Sequence, residues 1–483
     1  MLHFTDSHRQ DSMNATAQGI SAFATAAELG RALADGNTSS TEIVRRALDR
    51  VGVHDNSLHA FVRLFPEAAL QAAGEADERR RRGASKGPLD GIPFAAKDLL
   101  DVDGYPTLAG SKALAGEPAT TTATAIERLV AAGMILLGKV HTVEFAFGSW
   151  GTNPVAGTPL NPRDSVTPRA PGGSSSGSGV AVAAGLVPVA LGTDTTGSIR
   201  NPSAMCGIVG LKTSFGLVGR GGLLPLAMSF DSIGPMTRSV EDAALLLAAL
   251  EGPDPGDPAT YGVAPTLPLE GLERSISGVR LRIPSDADLA GVDPGILDRF
   301  GSTVAELEAL GAKVDRMPMP QSCDTYKALA GDIMAVEAWH HLGRYVEPTD
   351  SVVGTAIRMR VLKGREIGLA AYHELIARRR AAQIEFHRDL EGADAFLTPT
   401  APITAPPLAD IDETTTSLGT FTRMVNLLDM AALSVPIGLV NGLPAGLQIA
   451  VRRFQDPLAL RIGRALEIRR GGLFEQPPGY ATP

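Results

Sequence analysis

From residue 91 onward, short apolar runs bounded by Gly or Pro alternate with stretches whose apolar positions recur at helical spacing. This alternation constrains the fold more than any other feature of the chain. Strands are predicted over residues 92–97, 134–139, 187–192, 209–212, 279–283, 395–399, 432–437 and 446–451. Helices are predicted near 124–132, 180–184, 240–250, 295–310, 330–345, 365–390 and 457–469. Upstream, Ser39-Ser40-Thr41-Glu42 has capping-box spacing and leads into Ile43, Ala47 and Val51 at four-residue steps. A further helix begins near Pro66 and ends in Arg79-Arg80-Arg81-Arg82-Gly83, a basic run read as a solvated helix C-terminus closed by glycine. No Pro/Gly/Ser linker divides the pattern. The Pro/Gly-rich residues 252–276 lead straight back into it and are read as a loop. The expectation is one α/β layer structure over residues 21–483, preceded by a polar, aperiodic tail over residues 1 to about 20 that is expected to be mobile.

Composition narrows the function. Of 483 residues, 44% are hydrophobic, which supplies a packed core and excludes wholesale disorder. Forty-four basic against 53 acidic residues leave a net charge of −9, so nucleic acid and anionic membrane are not expected partners. The longest apolar run, residues 180–191, is interrupted by Gly185 and Pro188 and falls short of the ~18–20 residues of a membrane span. Two cysteines, Cys206 and Cys323, cannot staple so long a chain, which points to a reducing compartment. The first residues have no basic region feeding an apolar segment, so no secretory signal is expected. A cytoplasmic enzyme is the expectation.

The candidate chemistry lies in two Gly/Ser/Thr-rich segments, residues 172–179 and 192–200. A phosphate cradle of the Walker type needs a terminal Gly-Lys-Ser/Thr that is absent. A dinucleotide fingerprint needs a strand before the glycines, where this chain has Pro168-Arg169-Ala170-Pro171. Gly173-Ser174-Ser175-Ser176-Gly177 formally matches a nucleophile elbow, but the downstream His340, His341, His373 and His387 all fall in helical text. Without histidine, a serine needs another base, and lysine serves only when burial lowers its pKa from ~10.4. Lys97 sits among Ile92, Pro93, Phe94, Ala95, Ala96, Leu99 and Leu100. The same surroundings also suit a strand-end lysine reaching out to water. His141 and Glu144 lack a third ligand at metal-binding spacing, so packing roles are expected and no metal.

Gly91-Ile92-Pro93-Phe94-Ala95-Ala96-Lys97-Asp98, the serine-rich loop, and Gly192-Thr193-Asp194-Thr195-Thr196-Gly197-Ser198-Ile199-Arg200 together resemble the amidase signature family. The likeness continues in order through Gly138-Lys139, Asn161-Pro162, residues 202–207 and 210–212, Ser232-Ile233-Gly234-Pro235-Met236, Leu397-Thr398-Pro399-Thr400 and Leu433-Ser434-Val435-Pro436. It spans roughly residues 20–470, with a signature core at about 90–240. It implies a single large α/β domain whose mixed β-sheet is sandwiched between helices.

The resemblance also implies roles. Ser198 matches the nucleophile, Ser174 the proton-relaying serine that follows an unusual cis peptide, and Lys97 the terminal base. Ser175 matches a residue that hydrogen-bonds the lysine. Backbone N–H groups of Thr195, Thr196, Gly197 and Ser198 match an oxyanion hole, and Asp194 and Arg200 a loop brace. Many members carry glycine where this chain has Thr196, a departure that would be costly if the loop needs positive φ there. Residues 144–153 match a segment lining the acyl pocket. Ala146 and Gly148 would leave room there and Phe147 and Trp150 would supply an apolar wall, giving an expectation of bulky or aryl amides, carbamates or esters. The implied reaction is amide hydrolysis through an acyl-enzyme, with an amide-type small molecule and water as partners, no cofactor, and a homodimer compatible with it. Three alternatives stay open, one of them a binding protein that keeps the fold and has lost the chemistry, which the filled triad positions argue against. The chain also resembles the glutamine-hydrolysing component of a tRNA-dependent amidotransferase, and Arg423-Met424-Val425-Asn426-Leu427-Leu428-Asp429 resembles a segment of allophanate and biuret hydrolases.

Overall fold

A computed structural model describes residues 20–114, 116–414 and 418–480; the tail expected before residue 20 lies outside them. One sheet runs through the chain. Its strands are β1 (Phe61–Leu64), β2 (Pro93–Lys97), β3 (Ile135–Val140), β4 (Val189–Asp194), β5 (Val209–Lys212), β6 (Ser232–Thr237), β7 (Arg280–Ile283), β8 (Lys313–Arg316), β9 (Ala395–Pro399), β10 (Met430–Val440) and β11 (Leu443–Arg452). Their spatial order is β1-β3-β2-β4-β6-β5-β10-β11-β9-β7-β8. The sheet is mixed: β2 runs parallel to both β3 and β4, β7 parallel to β8 and β9, and the remaining pairs are antiparallel.

The helices are α1 (Ala26–Ala34), α2 (Ser40–Leu58), α3 (Pro66–Arg81), α4 (Thr124–Ala131), α5 (Ser176–Ala183), α6 (Arg200–Cys206), α7 (Val240–Leu250), α8 (Pro294–Ala309), α9 (Cys323–Val346), α10 (Thr355–Arg365), α11 (Leu369–Asp389), α12 (Thr422–Leu427) and α13 (Asp456–Arg470). They cover both faces of the sheet. Because strand side chains alternate, Phe94 and Ala96 of β2 join Val189 and Leu191 of β4 in the cluster packed by α1, α4, α7, α8 and α13. Ala95 and Ala190 join the opposite cluster, packed by α2, α3 and α5. A third cluster gathers α9 to α12. Both cysteines are free. No described helix is long and apolar enough to cross a membrane.

Local chemistry explains the elements and the differences from expectation. Ser39 caps α2 by accepting from the Glu42 N–H, but the reciprocal half of the expected capping box is not made: the Glu42 carboxylate instead pairs with Arg46 at 3.0 Å. The basic run ending α3 is divided. Arg79 binds the Asp90 carboxylate and Arg80 its carbonyl, while Arg81 and Arg82 pair with Glu78. The predicted helix over 365–390 is α11, which starts four residues later, after its cap Gly368, while α10, ending at Arg365, went unpredicted. Strand β6 went unpredicted because it holds Gly234 and Pro235, residues depleted in strands. The edge strands β1 and β8 are short and carry polar residues that mask the alternation.

Candidate active site

Lys97 ends β2 on the face it shares with Ala95, so its side chain meets the start of α5. It is completely buried. Its Nζ lies 2.7 Å from Ser174 Oγ and 2.8 Å from Thr193 Oγ1. Burial pushes the amine down to about 7, against the pull of the Asp194 and Asp231 carboxylates. The strand-end reading, with the amine in water, is therefore overturned.

Ser174 follows a cis Gly173–Ser174 peptide bond. Its carbonyl accepts from Val143 N–H and Thr142 Oγ1, both at 3.1 Å, and the Gly173 N–H donates to the Ser149 carbonyl at 2.7 Å. Chains approach closely here. A Cβ at Gly173 would sit 2.7 Å from Gly151 N, so only glycine fits. The next N–H, of Ser175, donates to the Ser198 carbonyl at 3.1 Å and brings the two serine-bearing segments together. Ser198 itself is only 6% exposed and lines a cavity of about 180 Å³. Among the described residues its hydroxyl has no hydrogen-bond partner. The Lys97–Ser174 link is closed and the Ser174–Ser198 link is open.

Asp194 and Arg200, both fully buried, brace the loop between them. Arg200 Nε and Nη2 donate to the Asp194 carboxylate at 3.0 and 2.8 Å, and the guanidinium also reaches Gln448, Asn426 and the Thr422 carbonyl. Burial alone would raise the Asp194 carboxyl, but the Arg200 charge and hydrogen bonds hold it well below the usual carboxylate range.

Several expectations are corrected. Ser175 does not touch the lysine: its hydroxyl exchanges hydrogen bonds with the Thr193 N–H and carbonyl at 3.2 Å, and Thr193 supplies the lysine's second contact. Ser175 stands at the N-cap of α5, where its hydroxyl meets the Thr193 backbone rather than the Lys97 amine. The Gly197 N–H is taken by Asp194 Oδ1 at 2.8 Å, so it is not available as an oxyanion donor. The N–H groups of Thr195, Thr196 and Ser198 have no protein partner among the described residues. Thr196 does not have positive φ; Gly197 does, at +124°, so the threonine is accommodated. Ala146, Phe147 and Gly148 line the cavity as expected. Trp150 instead packs with Met205, Ala401, Ala405 and Leu418. Ser149, just before it in the chain, does line the cavity.

Met334 and Ala335 join Ala146 and Phe147 as apolar lining, and beside them stand three cations that were not expected, Arg360, Lys363 and Arg423. Sequence reasoning also missed Thr193 and Asp231; the latter accepts from Thr195 Oγ1 at 2.6 Å and is pushed by burial up to about 6. Glu144 accepts from Ser111 Oγ and the Gly354 N–H, which makes it a packing residue.

A buried amine lowered to about 7 beside a serine, at the end of strand β2 of a mixed sheet, fits a serine hydrolase that works without histidine. A family model described as Amidase matches residues 42–460. The chain is 39% identical to the A subunit of the glutamyl-tRNA(Gln) amidotransferase of Symbiobacterium thermophilum over 92% of this chain and 96% of that one. It is similar, with a TM-score of 0.81 and 30% identity, to the native peptide amidase of Stenotrophomonas maltophilia, over 95% and 99% of the two chains. It is also similar, with a TM-score of 0.87 and 31% identity, to a chain of an inhibitor-bound vestigial protein complex that reveals the evolutionary origins of an s-triazine catabolic enzyme, over 94% and 100%. This chain belongs to the amidase signature family.

Proposed function

We propose that the chain hydrolyses a carbon–nitrogen amide bond with Ser198 as nucleophile, Ser174 as relay and Lys97 as base. The observation that carries this is the buried Lys97 amine 2.7 Å from Ser174 Oγ, held near neutrality at physiological pH. Neutral Lys97 takes a proton from Ser174, which takes one from Ser198 as its oxygen attacks the carbonyl. The oxyanion forms against the free N–H groups of Thr195, Thr196 and Ser198. The proton returns by the same route to the departing amine. Water then enters, loses its proton to the relay and cleaves the acyl-enzyme. In a substrate complex the relay closes the open Ser174–Ser198 step, as catalytic hydrogen bonds commonly tighten on binding. Fluorophosphonate labelling followed by peptide mapping tests the assignment: label on Ser198 supports it, and label on Ser175 with none on Ser198 overturns it.

A second reading follows from the 39% identity to an amidotransferase component: glutamine would be the amide, with ammonia passed to a partner. Efficient turnover of simple amides by the chain purified alone would count against it.

A further inference from the structure

The cavity that Ser198 lines also carries three cations, and no carboxylate side chain lines it among the described residues. Two of the cations are committed. Arg360 donates to the Phe147 and Glu413 carbonyls and feels the Glu413 charge. Lys363 pairs with Asp332 at 2.6 Å. Arg423 is different: its guanidinium has no hydrogen-bond or ion-pair partner among the described residues. Gly419 makes room for it: a Cβ there would stand 2.7 Å from its Nε, whereas one at Gly331 would only touch Nη1 at 3.7 Å. Burial and the neighbouring Arg360 charge push it down only to about 10, so it stays charged at neutral pH.

A second orphan lies in the same cavity. Asn201 is 1% exposed, and its side-chain oxygen is buried without a hydrogen-bond partner. The buried Ser149 hydroxyl lacks one as well. Unpaired groups of this kind cost free energy in the empty protein and are satisfied when a complementary ligand arrives. An unpartnered guanidinium calls for an anion and a bare amide oxygen for an N–H donor.

Taking the hydrolase reading above as its basis, we propose that the site selects small amides bearing a carboxylate on the acyl side. Arg423 binds that carboxylate, Asn201 accepts from a substrate N–H, and no group is provided for an ammonium. The last point separates this substrate class from glutamine, whose α-ammonium would face the three cations unpaired, an arrangement that like charges disfavour.

Steady-state kcat/KM on matched pairs tests this: succinamate against butyramide, malonamate against propionamide, and glutaramate against L-glutamine, which differ only by the ammonium. The anionic amide should exceed its neutral partner by about 10²-fold, and glutaramate should exceed glutamine, in line with the worth of a desolvated charge-assisted contact. In R423Q the anionic-to-neutral ratio should collapse to within about 3-fold, with R423K intermediate. Equal rates on the matched pairs in the wild type, or a preference for glutamine, would overturn the proposal without needing any variant to fold. An R423Q enzyme slowed equally on succinamate and butyramide, and on malonamate and propionamide, would also overturn it. Failure to hydrolyse any amide, charged or neutral, would instead overturn the hydrolase reading beneath it.

Discussion

Lys97 Nζ and Ser174 Oγ stand 2.7 Å apart in a pocket that excludes water from the amine, and Thr193 Oγ1 occupies the amine's other side at 2.8 Å. Two hydroxyls and a shell of apolar side chains therefore decide whether this amine holds a proton.

The sign of the pH dependence follows. The amine accepts a proton only when neutral, and burial lowers it to about 7. Activity should fall as pH drops through about 7 and level off above it, in kcat/KM profiles of the free enzyme. Lys97→Met should abolish that limb and lower kcat by about 10²–10⁴-fold, the usual worth of a general base, while circular dichroism shows an intact fold.

Thr193→Val removes an oxygen that favours the protonated amine. The acidic limb should therefore move to lower pH. Ser175→Ala, which touches only the Thr193 backbone, should leave the limb in place. Paired pH–rate profiles distinguish the two hydroxyls.

Asp194→Asn would strip the Arg200 guanidinium of its buried counter-charge. Removing one partner of a buried pair costs about 3–5 kcal/mol, which a urea titration would show as a lower midpoint with an unchanged slope. Because the Asp194 carboxyl is depressed in the folded protein, its contribution is complete above the unfolded value of about 4 and is lost only as pH falls toward the depressed value. The difference between wild type and variant should thus shrink in acid.

Gly197→Ala should cost both activity and stability. The residue has φ +124°, and a Cβ there would overlap Thr422 Oγ1. A penalty above about 1 kcal/mol is expected from the backbone alone. Thr196→Gly, at a position of ordinary φ, should leave kcat/KM within about 3-fold. Kinetics and thermal melts on the two variants check the contrast.

Much of the fold was legible because strands buried on both faces read as short apolar runs. Strands β5 and β9 match their predicted limits to the residue. What escaped were elements whose order comes from partners distant in sequence. Strand β6 holds its place between β4 and β5 despite Gly234 and Pro235. At the site, Lys97, Ser174 and the Asp194–Arg200 brace were identified from ordered motifs. Thr193, Asp231 and the cavity's cations were not, because their roles depend on which side chains meet across the fold. The packing of Trp150 with Met205, Ala401, Ala405 and Leu418 has the same origin, since those partners lie far from it in sequence.

The six residues of α12 serve two masters. Thr422 and Asn426 are gripped by Arg200, whose guanidinium also holds Asp194 at the start of the Ser198 loop, while Arg423 lines the cavity from the same turn. Exchanging the side chain at 423 can therefore redirect what the enzyme accepts without loosening the chemistry, whereas an insertion or deletion in that turn would damage both at once. Natural or engineered divergence of selectivity at this position should proceed by point replacement, with the length of this short helix kept constant.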